Sequence, residues 1–271
     1  MTLNDSLVRA PQSVPRRAAR PSVAVAQPDH AGASFSDLGV PAALVASLAA
    51  RGITEPFPIQ TATLRDTLAG RDVLGRGRTG SGKSLAFAIP MVARLATASS
   101  ACRPNRPRGL VLAPTRELAS QIAETVEPLA TAAGLKVTTV FGGVPQGRQV
   151  TALTGGIDIL VAAPGRLEDL KGQGLVHLDA VEITVLDEAD HMADIGFLPV
   201  VKRLLDATPA RGQRMLFSAT LDNGVDVLVS RYLNDPLTHS VDPASQAVAA
   251  MTHHIFEVAT LGDKNDVVQR L

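Results

Sequence analysis

The segment Gly77-Arg78-Thr79-Gly80-Ser81-Gly82-Lys83-Ser84 constrains this chain more than any other. It fits the pattern G-x-x-x-x-G-K-[ST], whose proper setting is the junction between a buried strand and the start of a helix. The apolar run Asp72-Val73-Leu74 precedes it and a helical stretch follows. Gly80 and Gly82 let the backbone close on an anion, and the amides that open the helix donate to it. Lys83 offsets phosphate charge, and the Ser84 hydroxyl is a ligand for magnesium. Arg78, Thr79 and Ser81 complete the cradle for a nucleoside triphosphate.

Similar short runs recur: Leu110-Val111-Leu112-Ala113, Val137 to Phe141, Ile157 to Val161, Ile183-Thr184-Val185-Leu186 and Met215-Leu216-Phe217. Each closes on loop residues and leads into a helical stretch. Near-continuous apolar runs suit strands buried on both faces. Strands alternating with helices predict an α/β domain, a parallel sheet with helices on both faces. Ligands of such sheets bind beyond the carboxyl ends of the strands. Upstream, Phe35, Leu38, Leu44, Val45, Leu48 and Ala49 predict a helix beginning at Phe35 and stopped by Gly52. A second helix starts near Ile59.

The run Ile183 to Leu186 ends in Asp187-Glu188-Ala189-Asp190. A carboxylate at Asp187 faces the phosphate crevice and holds magnesium through water. Glu188, one step further, is placed to orient or deprotonate an attacking water. The plainer alternative is an acidic turn that caps the next helix; the neighbouring phosphate loop favours the first reading.

These segments, in order and spacing, resemble the DEAD-box ATP-dependent RNA helicases. Phe35 with Gly52-Ile53-Thr54-Glu55-Pro56-Phe57-Pro58-Ile59-Gln60 resembles the family's adenine-reading Q motif. Pro114-Thr115-Arg116-Glu117-Leu118-Ala119, Gly142-Gly143 and Ala163-Pro164-Gly165-Arg166 resemble its RNA-contacting segments. Ser218-Ala219-Thr220 resembles the segment that couples ATP to RNA. The resemblance implies a RecA-like P-loop NTPase domain, with Lys83, Asp187 and Glu188 in catalysis and Ser84 and Asp187 on Mg²⁺. It implies ATP contacts at Phe35, Gln60 and Arg78 to Ser84. RNA contacts fall at Pro114, Thr115, Arg116, Gly143, Gly165 and Arg166, and Asp190 links the ATP site to Ser218 and Thr220. Gln60 can make paired hydrogen bonds to an adenine edge. Phe35 suits either a base face or the core beneath the first helix, and the resemblance favours the base. Arg116 and Arg166 suit backbone phosphates, so the RNA contacts carry no sequence preference. His191 reads as a partly exposed helix residue without a catalytic role. An ATP-dependent RNA clamp that never unwinds, or a DNA-directed helicase, are the other readings of the same motifs.

The chain departs from the family pattern at several positions. Phe57 stands where a Thr is usual, adding bulk beside Gln60. Ile53 replaces a common aromatic. Ala163 replaces a Thr, removing a hydroxyl-phosphate bond worth about 0.5–1.5 kcal/mol. The family also carries a second RecA-like domain with arginine fingers; only Met251 to Leu271 resembles its opening, so the chain reads as lacking that domain.

Lys plus Arg and Asp plus Glu both number 26 in the 271 residues. A broad basic surface is excluded, but a local basic groove is not. With no Trp and one Tyr, a site built on stacked aromatics is disfavoured. Cys102, the only cysteine, has no intrachain disulfide partner. No apolar run approaches the roughly 18 residues of a membrane span. The N-terminus lacks the apolar centre of a secretory signal, so a cytoplasmic location is expected. Residues 1–33, rich in Pro and Arg, read as a disordered basic tail, with weak RNA tethering as a second reading. Residues 34–240 form the expected core domain, and 241–271 a linker and the start of another.

Overall fold

Hydrophobic residues on both faces of the inner strands determine the architecture. Val111, Ile159, Val161, Ile183, Val185, Met215 and Phe217 point into one apolar cluster. Their neighbours Leu110, Leu112, Leu160, Ala162, Leu186 and Leu216 point into a second. Successive side chains of a strand face opposite sides. A sheet with a core on each side therefore needs apolar residues at every position, which is why the sequence shows runs rather than alternation.

The computed structural model describes residues 32–222 and 224–241. The tail (1–33) falls almost wholly outside the described residues, and the expected start of a second domain (241–271) does so beyond Val241. In chain order the elements are α1 (Ala42–Ala49), α2 (Pro58–Leu68), β1 (Val73–Arg76), α3 (Lys83–Thr97), β2 (Gly109–Leu112), α4 (Arg116–Ala132), β3 (Val137–Val140) and α5 (Gln146–Thr154). Then come β4 (Ile159–Ala162), α6 (Pro164–Gly172), β5 (Ile183–Leu186), α7 (Ala189–Asp194), α8 (Leu198–Leu205), β6 (Gln213–Ser218), α9 (Val225–Tyr232) and β7 (Leu237–Ser240). The strands form one sheet in the order β3-β4-β2-β5-β6-β1-β7. Every pairing is parallel. This is the expected α/β architecture of a RecA-like domain. All strands end on the same edge of the sheet, so the motifs that follow strands lie along that edge.

Two expectations need correction. The first helix does not begin at Phe35: Gly39 turns the chain at φ 86° and α1 starts only after Pro41. Leu38 and Val40 still pack into the core from the turn. The sheet also gains β7, which pairs with β1 from Val73↔Leu237 to Arg76↔Ser240. Its residues Leu-Thr-His-Ser carry too little apolar character to announce a strand.

The phosphate loop is set on the sheet by a close approach. A Cβ on Gly75 of β1 would lie 2.4 Å from the Phe217 ring. Glycine there lets Phe217 lie across β1, with its ring centroid 5.5 Å from that of Phe87 on α3. Any larger residue overpacks this contact, so the fold itself holds the loop between β1 and α3. Among the described residues no helix is long and apolar enough to cross a membrane.

Candidate functional site

The loop after β1 turns through Gly80 at φ 83° and Gly82 at φ 89°. These are left-handed conformations that side chains disfavour. The space beside Gly80 is open, as an approaching phosphate requires. Ser81 Oγ is buried without a hydrogen-bond partner. A phosphate oxygen in the cradle is the kind of acceptor that would satisfy it. Lys83 opens α3, is only 6 % exposed, and donates from Nζ to the Gly77 carbonyl at 2.9 Å. A buried ammonium with one neutral acceptor is poised for a stronger anionic partner.

Asp187 follows β5 and is 2 % exposed. Burial pushes its carboxyl up to about 6, against the pull of Lys83, while Glu188 pushes it further up. Glu188 adopts a left-handed conformation, φ 50° and ψ 53°, which is uncommon for a residue with a side chain. Thr79 Oγ1 donates to its Oε1 at 3.4 Å, and His191 Nδ1 lies 3.4 Å from its Oε2. The phosphate loop and the two acids, more than a hundred residues apart in sequence, thus meet at one place. A cavity of about 240 Å³ lies between Thr79, Lys83, Glu188, Asp190 and Ala219.

Asp190 is the hub of a network across this edge. Its amide donates to Ser218 Oγ at 3.2 Å. Its Oδ2 accepts from Ala219 N, Thr220 N and Thr220 Oγ1 at 3.1, 2.9 and 3.2 Å. Burial works against its ionisation, but the bonds from Thr220 and Ser218 hold its carboxyl below the usual range. Asp190, Ser218 and Thr220 are thus joined to one another by hydrogen bonds.

The other cluster sits beyond β2, β4 and β3, the adjoining half of the sheet. Arg116 opens α4, half exposed, and binds Glu117 at 3.1 Å. Its Nη1 lies 3.6 Å from where a Cβ of Gly143 would be. Arg166 on α6 donates to the Val144 carbonyl at 3.2 Å, tying the Gly142-Gly143 turn to Gly165. Gly143 and Gly165 are exposed. Thr115 caps α4 by accepting from Leu118 N at 3.1 Å. Pro114 is buried, so it shapes the turn before Arg116 and offers a ligand no surface.

The base end of the site differs from expectation. Phe35 is 2 % exposed and sits in the core with Leu38 and Leu44, so it anchors the packing and presents no face for a base. Gln60 is also 2 % exposed. Its Oε1 accepts from Phe57 N at 2.9 Å, and its Nε2 donates to the Gly82 carbonyl at 2.9 Å. It ties α2 to the phosphate loop rather than facing outward. The aromatic exposed here is Phe57, whose nearness to Gly82, 25 positions further on, had no signal in the sequence.

Fold and site together define an α/β domain built to hold a nucleoside triphosphate beside a second polar surface. A profile of the DEAD/DEAH box helicase family matches residues 57–228. The chain belongs to that family. It is 43% identical over 208 residues to the mitochondrial DEAD-box ATP-dependent RNA helicase 9 of Arabidopsis thaliana, covering 76% of this chain and 34% of the relative. It is 41% identical over 226 residues to the ATP-dependent RNA helicase RhlB of Sodalis glossinidius, covering 82% and 54%. The crystal structure of a DEAD box protein from Methanococcus jannaschii superposes with a TM-score of 0.70 at 30% identity, covering 77% of this chain and 56% of that one. The chain thus spans about a third to somewhat over half of these relatives.

Proposed function

We propose that this chain is the ATP- and RNA-binding core domain of an RNA helicase, coupling ATP hydrolysis to a hold on single-stranded RNA. The observation that carries the reading is the Asp190 network, in which the residue two positions after Glu188 is tied to Ser218 and Thr220 by direct hydrogen bonds. A change at the triphosphate end has a short, rigid route to the strand end beside it.

In this reading Lys83 and the loop amides bind the phosphates. Ser84 and Asp187 supply hard oxygen donors suited to Mg²⁺. Phosphate oxygens and water would be the remaining donors of such an ion. The bound ion supplies charge neutralisation on the phosphate oxygens. Glu188 holds the water and takes its proton. Arg116 with the amides near Gly143 and Gly165 grips phosphates of the RNA, which gives binding without base reading. A second domain of the same architecture supplies the remaining cations and RNA surface, and unwinding belongs to that complete assembly. The cytoplasmic location expected from the sequence is part of the reading, although the names of some relatives place those proteins in mitochondria or chloroplasts.

Binding of single-stranded RNA by the chain tests the proposal. Arg116→Ala should weaken it equally for unrelated sequences and reduce its salt dependence by about one phosphate contact, with ATP binding unchanged. RNA affinity that does not respond to Arg116, or DNA bound in preference, would overturn the RNA assignment.

The Asp187 carboxyl makes a second prediction. Its ordinary value is 3.8, and burial raises it to about 6 in the folded protein. The stability it contributes to the nucleotide-free fold is therefore present below pH 3.8 and lost as pH rises through about 6. Asp187→Asn should raise the melting temperature at pH 7.5 and lose that advantage near pH 4. Magnesium-dependent ATP binding, which needs the carboxylate, should fall as pH drops below 6. Equal melting temperatures for both proteins at pH 7.5 would refute the burial penalty.

A further inference from the structure

A second cleft, of about 550 Å³, opens at the other edge of the sheet, where the strands begin. Its walls come from segments about to enter strands: Asp72 before β1, Glu182 before β5, Arg211 before β6 and Asn234 before β7. Arg94, in the last turn of α3, completes it. The phosphate loop leaves β1 at its far end, and four residues at about 3.3 Å each put roughly 13 Å between the two edges. The cleft is therefore separate from the triphosphate site.

Acids and arginines line this cleft together, but only the acids are used up. Asp72 accepts from Arg214 N and Asn234 N, each at 2.7 Å. Asp179 pairs with Arg106. Glu182 accepts from the Ser100 hydroxyl and lies 3.9 Å from Arg108 Nη1. The arginines keep spare donors. Arg94 Nη1 donates to the Leu68 carbonyl at 3.3 Å, near the end of α2. Its Nε is buried without a partner, and its Nη2 has none among the described residues. Capping α2 thus occupies one of the five N–H groups of a guanidinium. The group is held in place nonetheless. Gly70 turns at φ 86°, and a Cβ there would lie 2.7 Å from Arg94 Nη1 and 2.9 Å from its Cζ. Arg71 is steadied by Asp235 at 3.1 Å. Arg211 is exposed, and no acid pairs with it among the described residues.

We propose that this cleft is a second anion site, which takes a small phosphate-bearing solute of the size and charge of inorganic pyrophosphate. Arg94 is its fixed anchor, and Arg71 and Arg211 stand at its mouth. A guanidinium presents paired N–H groups that match two oxygens of one phosphate. Three cations around one cleft suit an anion with more than one charge. The polar walls disfavour an apolar ligand, while the volume lies in the range of small-molecule sites. The inference is independent of what binds at the phosphate loop.

The test uses Lys83→Ala as background, because it weakens the phosphate loop and leaves the cleft untouched. Calorimetric titration of that protein with inorganic pyrophosphate, without magnesium, should still show binding. Adding Arg94→Gln should weaken it about tenfold or more, as the loss of a charge-assisted contact does. Arg94→Lys keeps the charge without the fork and should recover little of it. Adding Arg211→Gln instead should weaken binding about threefold, the scale of an exposed ionic contact. Arg211 is exposed, so this variant retains the fold even if changes at Arg94 disturb the end of α2, and equal melting temperatures establish that. In the otherwise unaltered chain, Arg211→Gln should leave Mg-ATP affinity unchanged. Absence of pyrophosphate binding in the Lys83→Ala background overturns the proposal, as does binding indifferent to both arginines. Binding of a short oligoglutamate peptide in place of pyrophosphate also overturns it, and would make the cleft a docking site for an acidic protein segment.

Discussion

Lys83→Ala should lower the affinity for Mg-ATP by about a hundredfold, because two losses follow from one substitution. The first is direct. A charge-assisted hydrogen bond contributes about 1.5–3 kcal/mol, and an ammonium only 6 % exposed is screened little by water. The second passes through Asp187. Lys83 exerts the larger of the two pulls that bring the Asp187 carboxyl down against its burial, the other being the bond from the Glu188 amide. Without Lys83 the carboxyl rises above its present value of about 6 and is more often protonated near neutral pH. A protonated Asp187 is a poor magnesium ligand, so the metal is lost together with the phosphate contact. Calorimetric titration of the alanine variant with Mg-ATP at pH 7 and pH 8.5 checks both parts. Affinity should recover partly at the higher pH, where Asp187 ionises again. Binding within threefold of the unaltered protein at pH 7 would show that the loop amides alone hold the phosphates.

How far the sequence revealed these features follows from the range of the interactions. The phosphate loop is legible because its chemistry is local: eight consecutive residues after a strand and before a helix. The central strands are legible because both faces are buried, which writes itself as unbroken apolar runs such as Ile183 to Leu186. β7 escaped because an edge strand needs neither face fully apolar, and Thr238, His239 and Ser240 look like a loop. The spacing of Phe35 fits a core anchor as well as a ligand contact, and its burial is what places it in the core. The longer-range bond of Gln60 was beyond reach for another reason. It crosses to Gly82, and only the packing of α2 against α3 brings that carbonyl within 2.9 Å. Local chemistry and doubly buried strands are written along the chain; contacts made by packing one element on another are not.

Glu188→Gln should leave ATP binding intact in the full-length protein and lower turnover by about 10²–10⁴, the range a positioned general base supplies. The glutamine keeps the size of the side chain and an oxygen for the Thr79 hydroxyl, so the loop geometry is preserved. What it removes is the ability to take a proton. The backbone supports this role. Glu188 sits at φ 50°, a conformation that costs a residue with a side chain on the order of 1 kcal/mol. Strain of that kind is retained where it aims a functional group, and here it aims the carboxylate at Thr79 across the loop. His191 provides the control. Its Nδ1 lies 3.4 Å from Glu188 Oε2, close enough to be the base itself or to relay the proton. If Glu188 is the base, His191→Ala changes turnover by no more than a few-fold while Glu188→Gln nearly abolishes it. The reverse order of effects, measured as steady-state ATP hydrolysis with saturating RNA, would transfer the catalytic role to the imidazole.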